Sequence, residues 1–139
     1  MDTQSLIGKT IKHIEFVENN NTYHSDDLLG DKIEMIFKTT CGYTYRYFHI
    51  EDCCEWVKVE DVIGDIEDLI GSPIKMAEVT TNTAEKDWQH QTWTFYKFAT
   101  DKGYVTVRWL GESNGYYSER VDLEVTNGDE LFRNGSEIK

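Results

Sequence analysis

Hydrophobic and polar residues alternate in short runs along most of the chain, which is the pattern of β-strands with one buried face. The alternation predicts strands over residues 10–17, 32–39, 43–50, 55–62, 74–80, 92–99, 104–110 and 116–125. Residues 81–91 are polar and show no alternation. We interpret them as a segment that separates two groups of strands.

Turn residues and glycines predict how these strands connect. Tight hairpin connections are expected at residues 39–42, 101–103 and 112–115. Between glycines, residues 64–71 place Ile66, Leu69 and Ile70 at the i, i+3 and i+4 positions of a short helical turn. The sequence therefore predicts a mainly β (α+β) fold: a single curved antiparallel sheet, as a half-barrel or sandwich of about seven strands, with one short helix.

The length of the chain, 139 residues, fits a single domain with a real hydrophobic core. The tail over residues 126–139 is polar, and we expect it to be frayed or weakly docked. The first residues lack the basic start and apolar stretch of a signal peptide, and no apolar run approaches the length of a membrane span. We therefore expect a soluble, cytosolic protein.

The net charge narrows the class of partner. With 14 basic and 26 acidic residues, the chain carries a formal charge of −12. A charge of this size repels phosphate backbones, which disfavours direct nucleic-acid binding and suits a protein partner with a basic surface. An acidic shell that keeps the protein soluble is the alternative interpretation.

A histidine and two adjacent cysteines are the candidate metal ligands. His49 ends the aromatic face of strand 43–50, and Cys53 and Cys54 follow where the chain must turn. Imidazole and thiolate are ligands that zinc prefers, and His90, Asp52 and water are the candidates for a fourth ligand. A structural zinc ion is therefore one hypothesis, and the alternative is a buried cysteine beside a hydrogen-bonded histidine.

Cys41 is the remaining thiol. If strand 43–50 is continuous, Cys41 and His49 stand about 26 Å apart at roughly 3.3 Å per residue, too far to share an ion. Three cysteines with an adjacent pair also argue against a disulfide framework.

Cysteine-dependent catalysis, with Cys53 or Cys54 activated by His49, is the enzymatic alternative. From residue 51 to residue 68 there are eight acidic residues and only one basic residue, Lys58, a sum of −7. Such a charge raises the pKa of a thiol and disfavours the thiolate. Phosphate-binding glycine loops, Gly-x-Ser-x-Gly and His-Glu-x-x-His are absent from the sequence, so we expect no catalysis.

The same acidic stretch is a candidate partner surface. The residues assigned to partner binding are Glu60, Asp61, Asp65, Glu67 and Asp68, together with Tyr116 and Tyr117. The acidic band, which also includes Glu51, Asp52 and Glu55, imitates a run of phosphates. Two adjacent tyrosines cannot both face the core, so one of them is an exposed aromatic. The alternative is that the carboxylates protect a sheet edge from aggregation.

Several short motifs carry a family resemblance over about residues 30 to 125. They are Asp-Cys-Cys-Glu at 52–55, Asp-Val-Ile-Gly-Asp at 61–65, Asp-Leu-Ile-Gly-Ser-Pro at 68–73, Trp-Thr-Phe-Tyr at 93–96, Arg-Trp at 108–109 and Glu-Ser-Asn-Gly-Tyr-Tyr-Ser-Glu at 112–119. In combination they resemble a family of small proteins encoded by phages and prophages of Gram-positive bacteria.

The chain is also similar to zinc-containing anti-CRISPR proteins that act on type II-A systems. That resemblance implies an inhibitor in the host bacterial cytoplasm that binds the RNA-guided nuclease and blocks target DNA without catalysis of its own. The positively charged channel of such nucleases gives an acidic protein a docking surface. The alternatives are a phage accessory protein that sequesters a small ligand and the cysteine-dependent enzyme above.

Overall fold

The computed structural model describes residues 2–19, 31–50, 55–86, 89–114 and 118–127. Within those ranges eight strands form one sheet: β1 Ile11–Asn19, β2 Asp31–Thr39, β3 Tyr43–Phe48, β4 Trp56–Ile63, β5 Met76–Lys86, β6 Gln89–Thr100, β7 Gly103–Ser113 and β8 Asp122–Asn127. Two short 3-10 turns, η1 Thr3–Leu6 and η2 Ile66–Leu69, complete the elements. The predicted mainly β, antiparallel half-barrel is confirmed, and η2 is the short helical turn expected within residues 64–71. None of the helical turns in the described ranges is long and apolar enough to cross a membrane.

Strand β2 divides the sheet into two arms. The order of strands is β5-β6-β7-β4-β2-β3-β8, and β1 pairs with β2 outside this path. Residues 35–38 of β2 pair with β3, whereas Lys32 pairs with Val59 of β4. The end of β3 and the start of β4 therefore lie where a short arm (β3, β8) and a long arm (β4, β7, β6, β5) diverge.

Residues 70–75 curl the long arm back toward β1. The Gly71 amide donates to the Ile11 carbonyl at 2.9 Å, and the Ile74 amide donates to the Lys9 carbonyl at 2.9 Å. The next amide, that of Lys75, donates to the Ala99 carbonyl of β6 at 2.8 Å. One segment thus joins the two sides of the half-barrel.

The concave inner face of the sheet holds an aromatic core. Tyr45 and Tyr47 are fully buried, as the predicted shared face of 43–50 requires. The Tyr47 ring packs edge-on against Phe37 and Tyr96, with centroids 5.6 and 4.7 Å apart. Trp109 is also completely buried. Each of these rings contributes a large share of buried apolar surface, since aromatic side chains bury the largest areas.

The prediction that residues 81–91 separate two groups of strands is wrong. Strand β5 continues to Lys86 and β6 begins at Gln89, so most of this segment is a long hairpin. Every residue from 78 to 85 is exposed, whichever face of the sheet it occupies. A strand with solvent on both faces needs no hydrophobic alternation, so the sequence pattern does not indicate this part of β5 and β6.

The predicted hairpin through residues 112–115 is also wrong in its pairing. Strand β8 pairs with β3, from Tyr43 opposite Asn127 to Phe48 opposite Asp122. The strand predicted at 116–125 is placed by the structure at Asp122–Asn127, because pairing with distant β3 sets its register. The predicted tail accordingly contributes residues 126 and 127 to β8, and residues 128–139 lie outside the described part of the chain.

Candidate functional site

The inner face of the half-barrel becomes polar at one end. His49 continues the row of Tyr45 and Tyr47, and Ser113 continues the inward row of β7 beyond Trp109. Six side chains gather there, and we refer to them as the polar cluster: His49, Glu55, His90, Thr92, Ser113 and Glu119. Both histidines predicted as metal ligands thus lie at the same end of the sheet.

His49 is held at both ring nitrogens. Its Nδ1 lies 2.7 Å from the Arg120 carbonyl oxygen, which can only accept, so Nδ1 carries a proton and donates. Its Nε2 lies 2.7 Å from Oε2 of Glu55. The side chains of His49 and Glu55 are 6% and 0% exposed. This couple ties the end of β3 to the start of β4 and to the segment that leads into β8.

Glu119 is the centre of the second half of the polar cluster. Its Oε1 accepts from His90 Nδ1 at 2.7 Å and from the Thr92 hydroxyl at 2.6 Å. Its Oε2 accepts from the Ser113 hydroxyl. The Glu119 side chain is only 2% exposed, so these donors supply the stabilisation that water would otherwise give to its charge.

Gly111 lets the Glu119 segment cross the sheet closely. A β-carbon on Gly111 would lie 2.8 Å from Glu119 Cβ and 2.9 Å from the Glu119 carbonyl oxygen. It would also lie 3.1 Å from Val57 Cγ2. The missing side chain is therefore what allows the carboxylate of Glu119 to reach Ser113, two residues further along β7.

The order of groups in the polar cluster does not activate a nucleophile. In a hydrolytic triad the imidazole lies between the hydroxyl and the carboxylate, and it accepts the hydroxyl proton. Here Glu119 lies between His90 and Ser113. The hydroxyl donates to a carboxylate and the imidazole is on the far side, so the arrangement serves to satisfy buried polar groups.

As a metal site, the polar cluster offers one accessible nitrogen. His49 would have to release Glu55 or the Arg120 carbonyl in order to bind an ion. Within the described part of the chain, His90 Nε2 has only Glu85 as a partner, at 3.5 Å, and the Glu85 side chain is 78% exposed. Over the described ranges, the histidine, cysteine and acidic residues form no group of three or more suited to a metal. Cys53 and Cys54 lie outside the described residues.

Cys41 lies at the opposite end of β3 from His49. It is exposed in the turn between β2 and β3, with its sulfur 3.4 Å from the Thr39 hydroxyl. Strand β3 is continuous over Tyr43–Phe48. A continuous strand therefore separates Cys41 from His49, as the sequence predicts.

The predicted acidic band divides between the interior and the surface. Glu55 was expected on the surface and is buried instead, because its carboxylate bonds to His49. Glu60 bonds to Arg108 Nε at 2.7 Å, and Asp61 lies 3.7 Å from the same guanidinium. The remaining members at residues 51 and 52 lie outside the described residues.

Carboxylates of the η2 turn are the least neutralised part of the band. Asp65 caps η2 by accepting from the Glu67 amide at 3.1 Å. Asp65 and Glu67 are exposed, and Asp68 is partly exposed. Among the described residues no basic side chain lies within ion-pair distance of these three. Tyr116 and Tyr117, the other predicted contacts, lie outside the described residues.

Sequence reasoning missed three members of the polar cluster. Glu119 stands inside one of the motifs that carry the family resemblance, but no local pattern marks it as buried. Thr92 and Ser113 occupy inward positions of β6 and β7. Thr92 already stands in the predicted strand 92–99, and extending the predicted strand 104–110 by three residues would have included Ser113.

Comparison with known families gives one match. A family model described as Domain of unknown function (DUF7448) matches residues 3–123, which include the whole polar cluster and the η2 carboxylates. Comparison with curated proteins and with solved structures found no match.

Proposed function

We propose that this chain, which belongs to the family described as Domain of unknown function (DUF7448), is a phage-encoded inhibitor of a type II-A RNA-guided DNA nuclease. It binds the nuclease through an acidic surface and blocks the loading of target DNA. The proposal places the protein in the host bacterial cytoplasm, where such a nuclease works. It rests on the motif resemblance given above and on the distribution of charge.

One observation carries the proposal: Asp65 and Glu67 at η2 are exposed, Asp68 is partly exposed, and all three lack an ion pair among the described residues. With a net charge of −12, the protein is attracted to a surface lined by lysine and arginine. The channel that holds the guide and target strands in such nucleases is a surface of this kind. Carboxylates seated there would exclude the phosphates of DNA.

The polar cluster supports a structural role beside this one. Each buried carboxylate already accepts hydrogen bonds from a histidine, and the hydroxyls of Thr92 and Ser113 donate to Glu119. We therefore propose that the protein inhibits by binding alone.

The test is a DNA cleavage assay with a purified type II-A nuclease and its guide RNA. Protein added before the target DNA should abolish cleavage, and protein added after the DNA is loaded should not, because the acidic surface competes for an empty channel. A restriction endonuclease in the same buffer is the control, since removal of magnesium would inhibit both enzymes. Full cleavage at excess protein would overturn the proposal.

We also propose a structural zinc ion, bound by His90 Nε2 and the thiolates of Cys53 and Cys54, with His49 as a ligand if it releases Glu55. Zinc prefers these donors, and its binding energy would add to folding. Elemental analysis of untagged protein should give one zinc per chain, and Cys53→Ser should lose it while Cys41→Ser retains it. Less than half an equivalent of zinc, with melting unchanged by a chelator, would rule this out.

A further inference from the structure

A β-bulge in β4 turns an isoleucine outward. Val57 and Val59 are buried on the inner face. The register with β7 then shifts between Val59 and Asp61, so that Val62 packs against the core. Ile63 consequently faces outward and is 49% exposed. Bulges commonly re-aim side chains in this way, and here an aliphatic side chain is presented to solvent.

Tyr104 is the neighbour of Ile63 on that outer face. Ile63 is opposite Thr106, and Tyr104 lies two residues before Thr106 on the same face of β7. A diagonal pair of this kind has side chains roughly 7–8 Å apart. Tyr104 is 75% exposed, the highest value among the large exposed hydrophobic side chains of the described residues.

The backbone beneath the tyrosine is fixed. A β-carbon on Gly64 would lie 2.5 Å from the Tyr104 carbonyl oxygen, so the turn after β4 packs directly on the β7 backbone. Gly64 also has φ +103°, which favours glycine. The Tyr104 side chain thus projects from a rigid support, and a rigid aromatic loses little conformational entropy when it binds a partner.

Carboxylates lie next to this apolar pair. Asp61 precedes Ile63 on the outer face, and Asp65, the N-cap of η2, and Glu67 follow it in the turn that packs against β7. On the other side Asp101 lies in the turn before β7 and pairs with Lys75. Lys102 is engaged too, since its Nζ donates to the Ile70 carbonyl at 2.6 Å. Arg108 on the same face is engaged by Glu60 and Asp61. Lys97 is exposed and lies opposite Thr106. The border of the apolar pair therefore carries both signs of charge, and Asp65 and Glu67 are its carboxylates without an ion pair among the described residues.

We infer that this outer face, the Tyr104 face, formed by Ile63 and Tyr104 with Asp61, Asp65 and Glu67, is the surface that contacts the basic partner. The inference rests on the proposed function and adds to it. A partner that fits is a protein surface with an apolar pocket for the Tyr104 ring, bordered by lysine or arginine side chains that face the three carboxylates. The aromatic centre supplies affinity, and the carboxylates increase the association rate.

The experiment measures binding to the nuclease and inhibition of cleavage for two variants of the Tyr104 face and two matched controls. Tyr104→Ala should raise the dissociation constant at least tenfold, mainly through faster dissociation. The double variant Asp65→Lys with Glu67→Lys should slow association at least tenfold at low salt. All five substituted side chains are exposed, so thermal melting should stay close to that of the wild type, apart from a small loss where Asp65→Lys removes the cap of η2.

The controls remove comparable side chains elsewhere. Val79→Ala alters a 47% exposed residue on the inner-face side of β5, and Glu15→Lys reverses an exposed charge on β1. Both should bind within twofold of the wild type. If the controls weaken binding as much as the face variants do, general charge and not this face governs binding, and the inference is overturned.

Failure of the inference differs from failure of the proposed function. A wild-type protein that inhibits, combined with face variants that bind and inhibit equally well, overturns the Tyr104 face and leaves the inhibitor function intact. A wild-type protein that neither binds nor inhibits overturns the function, and this inference with it.

Discussion

Glu55 and Glu60 are five residues apart in one acidic stretch, and the structure gives them opposite environments. Glu55 is buried against His49, whereas Glu60 is partly exposed and bonds to Arg108. A buried carboxylate depends on its partners because water cannot replace them, and an exposed one contributes little to stability. The buried carboxylates of the polar cluster therefore stabilise the fold, whereas the surface carboxylates remain available for a partner.

The largest difference should come from the two carboxylates that face His90. Glu119→Ala leaves His90, Thr92 and Ser113 without their buried acceptor, and we expect it to lower the free energy of unfolding by about 3–5 kcal/mol. Glu85→Ala removes the exposed carboxylate on the same ring and should cost less than about 0.5 kcal/mol. Urea denaturation followed by tryptophan fluorescence measures both changes.

If the two variants at His90 lose equal stability, the division between structural and surface carboxylates fails. If Glu119→Ala does not fold, Glu119→Gln keeps the shape of the side chain and still accepts hydrogen bonds. It should fold with a smaller loss than alanine.

A second pair, within the acidic stretch itself, should give a smaller difference. Glu55→Ala should lower the free energy of unfolding by about 2–3 kcal/mol, since His49 Nε2 loses its buried partner. Glu60→Ala should cost at most about 1 kcal/mol because its pair with Arg108 is partly exposed. Chemical denaturation at low and high salt checks this: only the Glu60 variant should differ from wild type in its salt response.

Alkaline pH should destabilise the aromatic interior gradually. Burial raises the pKa of the hydroxyls of Tyr47 and Tyr96 above the ordinary value of about 10. Their contribution to stability is therefore fully present below pH 10 and is lost as pH rises beyond it, by up to about 1.4 kcal/mol per pH unit for each group. Urea midpoints between pH 9 and 11 should decline.

Tyr47→Phe provides the comparison for that decline. Its loss of the hydrogen bond with the Thr3 hydroxyl is independent of pH in this range, so it lowers stability by a constant amount. The slope above pH 10 should become shallower than in the wild type. Equal slopes for the two proteins would show that folding does not raise the pKa of the Tyr47 hydroxyl.

The local hydrophobic pattern was sufficient to predict a strand where one face of that strand is exposed to solvent and the other is buried. In the strand predicted at 55–62, Val57 and Val59 alternate with polar neighbours, and the structure buries both. Ile63 has the same parity and is exposed, because the bulge depends on how β4 pairs with β7. No pattern within β4 records that pairing. The polar strand at residues 78–85 escaped notice for the related reason that neither of its faces is buried.

The sequence identified the two histidines of the site but not the carboxylates that bond to them. His49 and His90 were selected by residue type, and the structure places them in one cluster. Glu119 joins them only because β8 pairs with β3 and carries the preceding segment over Gly111. The Asn-Gly signal at residues 114–115 predicted a local hairpin instead. A contact between residues 90 and 119 cannot be read from either local sequence.

The pairing of β8 with β3 has a consequence for how the chain folds. Hairpins such as β6 with β7 pair strands that are adjacent in sequence, whereas Phe48 pairs with Asp122, which lies 74 positions later in the chain. Closing so long a loop costs entropy before any contact rewards it, so we expect β8 to dock in the last step of folding. Glu119 and the Arg120 carbonyl arrive with it. In hydrogen exchange, the amides of β8 should consequently open before those of β6 and β7, and the interior of the polar cluster should admit water first.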